Sequence, residues 1–151
     1  MQFCPNRIAL DLSTIATGWA YGSGPKPSHF GTIIPPKECK TLAARLVHMT
    51  DSVEKMTIAV VSTEVVIEEF NFLRGMPAIR ALAGLRGAVL YALTKRDCVV
   101  KFANRPEFLK KLGMRGNAKK DEVLRWAALH GFAVKNDNEA DAIAVYLGAS
   151  L

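Results

Sequence analysis

The sequence predicts a single α/β domain over residues 1–151, built on a five-stranded mixed sheet flanked by helices. Three observations predict it. The first part of the chain holds three short strand-like runs separated by turn formers. The remainder alternates long helical stripes with short β-branched runs, as parallel crossovers do. Two of the apolar runs carry acids at their ends, where an α/β sheet places its sites.

Arg7-Ile8-Ala9-Leu10-Asp11-Leu12 reads as the first strand, interrupted near its end by Asp11. Ser13 to Ala16 make a turn, and Thr17-Gly18-Trp19-Ala20-Tyr21 reads as the second strand. Gly22 to Pro27 is dense in turn formers and leads to the third strand, His29 to Ile34. Two strands so close form an antiparallel hairpin, and Pro35-Pro36 ends it. Leu42, Leu46, Met49, Val53, Met56 and Val60 recur at helical spacing, which predicts an amphipathic helix from about Glu38 to Val60. Glu64-Val65-Val66-Ile67-Glu68-Glu69 is a short continuous run, as expected of a strand buried on both faces.

The segment from Phe70 to Met76 reads as a loop, with Pro77 suited to the first turn of the next helix. That helix runs to about Lys95 on the stripe Ile79, Leu82, Leu85, Val89 and Leu93, with Gly84 and Gly87 allowing a close neighbour. That neighbour is its own sheet or the same helix of a second copy. Cys98 to Phe102 is the fifth strand, followed by helices over Pro106 to Leu112 and Ala118 to His130, and a last helix from about Asn138. Trp19 and Trp126 fall at core positions of these elements.

A strand–helix–strand crossover is right-handed and parallel in almost every case. The strand ending at Glu68 then lies beside the strand carrying Asp11, and both acids reach the carboxyl edge of the sheet. Acids there are costly to bury and repel one another unless compensated. A divalent cation removes both penalties, and hard oxygen donors favour Mg²⁺ or Mn²⁺ over zinc. Asp141, one turn into the closing helix and flanked by alanines, offers a third side. Two metals roughly 4 Å apart activate water and stabilise a leaving oxygen in phosphodiester hydrolysis.

Composition narrows the partner. The net charge is +6 and the pI is about 9.4, a balance that suits a polyanion. Lys101, Arg105, Lys110, Lys111, Arg115, Lys119 and Lys120 are opposed before Asp121 by Glu107 alone, as expected of a phosphate-binding segment. No run approaches the roughly 18 apolar residues of a membrane span, so no membrane partner is expected. No leader is apparent ahead of the first strand. Cys4, Cys39 and Cys98 form neither a disulfide framework nor a metal knuckle and suit a reducing cytoplasm. His29, His48 and His130 are scattered and receive no catalytic role.

Four segments together resemble a known family. They are Ile8-Ala9-Leu10-Asp11 with Thr17-Gly18-Trp19; Val66-Ile67-Glu68-Glu69 with Leu85-Arg86-Gly87-Ala88-Val89; Lys110-Lys111 with Gly116 to Val123; and Ala140-Asp141-Ala142-Ile143-Ala144. The chain resembles RuvC-type Holliday-junction resolvases of the RNase H-like superfamily over nearly its whole length, and in brevity it is nearest the phage-borne members. The resemblance implies a metal-dependent endonuclease acting on four-way junctions and other branched DNA, with two Mg²⁺ per site and Mn²⁺ able to substitute. It makes Asp11, Glu68 and Asp141 catalytic metal ligands and selects Glu68 over Glu69. It brings Lys120 near the scissile phosphate, with Lys119 able to exchange roles.

It also makes Lys110, Lys111, Arg115, Lys119 and Lys120 contacts to DNA. Phe70 and Phe72 are candidates to wedge between bases, against the commoner role of phenylalanine in a core. The family has a second Asp three residues before the last acid, where this chain has Asn138. Asp137 is favoured as fourth ligand, with Asn138 and Glu139 as alternatives, and helix capping suits Asp137 equally well. Two symmetric cuts imply a homodimer. The cytoplasm of a bacterium or of a phage-infected cell is the expected location.

Three other functions share parts of this pattern. An RNase H-like nuclease acting on precursor RNA would carry the same acids. A phosphotransferase of the actin–hexokinase type also begins with an Asp strand followed by Thr-Gly, but needs a longer chain. A junction-binding protein without catalysis would explain Asn138.

Overall fold

The computed structural model describes residues 6–61, 64–70 and 75–150. Strands β1 (Arg7–Asp11), β2 (Thr17–Gly22) and β3 (His29–Ile33) are followed by helix α1 (Leu42–Ala59), strand β4 (Glu64–Glu68) and helix α2 (Met76–Thr94). Strand β5 (Val99–Ala103) and helices α3 (Arg105–Lys111), α4 (Lys120–Leu129) and α5 (Asp137–Gly148) follow in turn. They form one five-stranded sheet in the order β3-β2-β1-β4-β5. The first three strands pair antiparallel, and β4 joins β1 and β5 in parallel. Fold class and strand directions are those the crossover rule predicts.

Alternation along the strands assigns the two faces. Ile8, Leu10, Val65 and Ile67 pack with Met49 and Val53 of α1 and with Leu85, Val89 and Leu93 of α2. Ala9, Ala20 and Val66 point the other way, into a core with Phe108 and Leu109 of α3, Val123 and Ala127 of α4, and nearly all of α5. Residues Ala140 to Tyr146 of α5 are all buried, because this helix has the sheet on one side and α3 and α4 on the other. A helix apolar on every side belongs in such a position. Alanines on both surfaces let it sit close to the sheet.

Local chemistry moves some boundaries from their expected places. The first helix begins at Leu42 rather than Glu38, because Thr41 caps it by accepting the Ala44 N–H at 3.1 Å. The fourth begins at Lys120 rather than Ala118, whose N–H is spent in a turn to Arg115 at 2.9 Å. Trp19 and Trp126 are partly buried against the two cores. Gly84 faces Leu46 of α1, whereas a side chain at Gly87 would meet nothing within 4 Å. By length and composition α2 reaches membrane-span size, contrary to expectation, although Leu85, Val89 and Leu93 on it are buried in the core.

Candidate active site

The same alternation that sorts the core sorts the acids. Asp11 follows Ala9 by two residues and Glu68 follows Val66 by two, so both face the α5 layer. The pairing of β1 with β4 ends with Leu10 beside Ile67, and the two acids come one step further along each strand. Asp141, on the buried face of α5, completes the group, and all three line one cavity of about 880 Å³. Glu69 has the opposite parity. It pairs with Arg86 of α2, whose guanidinium also lies 3.9 Å from the centre of the Phe102 ring.

The loop after Asp11 is tied down by Thr17, which donates its hydroxyl to the Ser13 carbonyl at 2.9 Å and accepts the Ser13 N–H at 3.1 Å. Next to it, Gly18 admits the backbone of Asn138 at the start of α5. Two further small residues of β2, Ala20 and Gly22, continue that contact, the last of them beside the Tyr146 hydroxyl. The Thr-Gly pair thus holds both the loop beside the first acid and the helix carrying the third.

Two cations enter the acid group. Arg105, the first residue of α3, donates to Glu68 at 3.1 Å and to Asp141 at 3.0 Å. Lys120 stands 2.9 Å from Asp137 and 3.9 Å from Asp141. Burial, reinforced by the charges of Glu68 and Asp141, pushes the Asp11 carboxyl up to about 8. Burial also raises Glu68 and Asp141, with Arg105 offsetting it only in part. Burial opposes the charge on Lys120, but Asp137, Asp141 and Asp11 outweigh it and raise its pKa. The raised carboxyls are the mark of acids crowded together in a buried place with less positive charge than their ionised forms would need.

The three candidates for a fourth ligand part company. Asn136 caps α5 by accepting the Glu139 N–H at 3.0 Å, and Glu139 returns a bond by accepting the Lys135 N–H at 2.7 Å. That reciprocal cap occupies the Glu139 carboxylate. Asn138 presents its backbone to Gly18. Asp137 is held by the hydrogen bond from Lys120, which lowers its pKa. Lys120 thereby ties Asp137 to the same corner as Asp141.

The basic segment is less one-sided in space than in sequence. Lys101 pairs with Glu64 at 2.5 Å, Arg105 with Glu68 and Asp141, and Arg115 with Glu122 at 2.5 Å. Among the described residues, Lys110, Lys111 and Lys119 carry no ion pair, and Lys119 lines the cavity with Lys120. Lys110 and Lys111 close the last turn of α3, where the helix dipole favours cations. Phe70 lies at the cavity wall, its ring centre 5.1 Å from the Arg86 guanidinium. Phe72 lies outside the described residues.

Arg105, grouped by its sequence neighbours with the phosphate-binding segment, is brought by the structure to the acids, where it donates to Glu68 and Asp141. A signal existed. Ala103 pairs with Glu68 in register, so a residue just beyond the end of β5 reaches the same carboxyl edge.

The residues fit a divalent cation in donor type and in missing charge. Asp11, Glu68 and Asp141 offer hard oxygen atoms, and Glu68 Oε2 is buried without a hydrogen-bond partner. As the side chains stand, no three His, Cys, Asp or Glu among the described residues close on a common point. Arg105 stands between two of those needed.

Sheet order, strand directions and flanking helices together define an RNase H-like fold. It matches that of RuvC from Thermus thermophilus, at a TM-score of 0.76 and 20% identity, over 95% of this chain and 92% of that one. The same enzyme in complex with a Holliday junction substrate matches at a TM-score of 0.79 and 19% identity, over 95% and 91% of the two chains. The yeast mitochondrial Holliday junction resolvase Ydc2 matches at 0.64 and 8% identity, over 97% and 78%. No family profile and no curated protein matches the sequence. At these identities the likeness is one of fold.

Proposed function

We propose that this chain is a metal-dependent, structure-selective endonuclease that hydrolyses phosphodiester bonds in Holliday junctions and other branched DNA. The observation that carries the reading is the meeting of Asp11, Glu68 and Asp141, from β1, β4 and α5, in one cavity edged by Lys119 and Lys120. Fold similarity to a RuvC crystallised with a Holliday junction substrate supports the choice of DNA over other polyanions.

In this reading Asp11, Glu68, Asp141 and Asp137 would hold a pair of Mg²⁺ ions, or Mn²⁺ in their place, which would supply activation of water and stabilisation of the leaving oxygen. The protein's own groups bind and orient. Lys120 keeps its proton and offers it to a non-bridging phosphate oxygen, where charge grows in the transition state. Lys110, Lys111 and Lys119 hold flanking phosphates, and Arg115 is available to DNA from its exposed pair with Glu122. Phe70 presents an aromatic face at the cavity wall for an unstacked base. Two copies acting as a homodimer supply the paired cuts.

The test is cleavage of a labelled four-way junction in Mg²⁺ or Mn²⁺, beside a linear duplex and a structured RNA. Paired, symmetric cuts confined to the junction are expected. Tight junction binding without any cut would reassign the chain to a binding protein, and preferential cutting of RNA would reassign its substrate.

A further inference from the structure

One charged group inside the site is left without a role by the reaction proposed above. Arg105 lies within the acid group, its two terminal nitrogens donating to carboxylates from different elements, Glu68 of β4 and Asp141 of α5. Three features make this more than a structural pin. The guanidinium serves the pair incompletely, because Glu68 Oε2 stays buried without a partner. Arginine cannot lose its charge in a protein, so it leaves the acids only by moving away. Movement is open to it: the side chain is 23% exposed and lines the cavity from the first turn of α3.

We propose that Arg105 is a resident cation of the acid cluster, and that its guanidinium competes with a divalent ion for Glu68 and Asp141. The inference rests on the metal-dependent reading above. Without metal, Arg105 bridges two carboxylates that would otherwise repel across the sheet edge and offsets one of their two charges. A divalent ion takes the same oxygen atoms, and the two occupants exclude one another. Loading therefore carries the cost of detaching the guanidinium, and the free protein binds metal more weakly than its carboxylates alone would. Coupling between mutually exclusive ligands of one site is reciprocal, so whatever holds Arg105 in place weakens the metal by the same factor.

The experiment measures Mn²⁺ binding to DNA-free protein by calorimetry, together with thermal melting with and without Mn²⁺. Wild type, Arg105→Gln, Arg105→Lys and Asp11→Asn are compared. Arg105→Gln is expected to bind Mn²⁺ about tenfold more tightly than wild type, in the usual range of coupling between ligands. Its metal-free form melts lower, because two buried acids lose their counter-charge, and Mn²⁺ restores the loss. Arg105→Lys keeps the charge without the fork and falls between the two.

Unchanged or weaker Mn²⁺ affinity in Arg105→Gln, beside a lowered melting temperature, would make Arg105 a structural pin and overturn the proposal. If Arg105→Gln does not fold, Arg105→Lys decides: affinity above wild type supports competition, and equal affinity overturns it. These failures leave the metal site standing. If wild type takes up no Mn²⁺ and Asp11→Asn behaves identically, the metal-dependent reading falls, and competition with it.

Discussion

Gly18 of β2 meets Asn138 of α5 backbone to backbone, so closely that a Cβ on Gly18 would stand 2.0 Å from the Asn138 carbonyl oxygen. Asp141 lies one turn further along the same helix, so the depth at which the third acid sits is set by the absence of a side chain on a strand. Gly18→Ala is expected to push the start of α5 off the sheet and destabilise the protein by about 1–3 kcal/mol, as overpacking does. Cleavage should fall further than the lost fold accounts for. Gly87→Ala on α2, where a Cβ meets nothing within 4 Å, is the control and should stabilise by roughly 0.4–1 kcal/mol. Urea unfolding beside junction cleavage separates the two.

Strand parity makes adjacent glutamates unequal. Glu68→Gln should abolish cleavage, since that carboxylate faces Asp11 and Asp141. Glu69→Gln should retain it, because Glu69, although it reaches the wall of the same cavity, is turned to Arg86 of α2 and away from Asp11 and Asp141. Loss of this partly exposed pair should cost no more than about 1 kcal/mol. Equal loss of cleavage in both variants would contradict the assignment of faces.

Asp11 ties stability to pH. Its carboxyl is pushed up to about 8 in the folded protein from an ordinary 3.8, so between those values the folded state holds a proton that the unfolded chain has released. The stabilisation is fully present below pH 3.8 and is lost as pH rises through 8. With a chelator present, wild type should lose stability from pH 5 toward pH 8.5, and Asp11→Asn should show a shallower decline. What remains belongs to Glu68 and Asp141, raised in the same direction. Asp11→Asn and Asp141→Asn should also abolish cleavage while leaving junction binding intact. An unchanged pH slope in Asp11→Asn, read by urea unfolding, would refute the burial argument.

The unpaired lysines should dominate the salt dependence of binding. Replacing Lys110 and Lys111 by Ala should lower junction affinity and reduce the slope of log affinity against log salt by about 0.9 for each phosphate no longer neutralised. Lys101→Ala should leave that slope unchanged, because this lysine is engaged by Glu64. Titrations of a fluorescent junction at several salt concentrations measure both.

Much of the site was legible because it follows from periods. Alternation along a strand and the handedness of a crossover are local rules, and together they bring Asp11 and Glu68 to one edge and one face. The basic segment was legible as a run of charge but not as a charged surface. Arg105, Arg115 and Lys101 find acids far away in sequence or across a turn, and no local pattern records those pairings. The acids around Asn138 show the same limit, since a run of Asp, Asn and Glu leaves open which caps the helix and which faces the cavity.

Backbone periodicity and the handedness of a crossover bring the strands of Asp11 and Glu68 side by side from the sequence alone, whereas the choice of Glu68 over Glu69 and the place of Asp141 beside them rest on the family resemblance. Folding in three dimensions assigned Glu139 to the helix cap, tied Asp137 to Lys120 and carried Arg105 between Glu68 and Asp141. The physical reason is that a buried charge takes the nearest counter-charge in space. For Arg105 those partners lie 37 and 36 residues away along the chain.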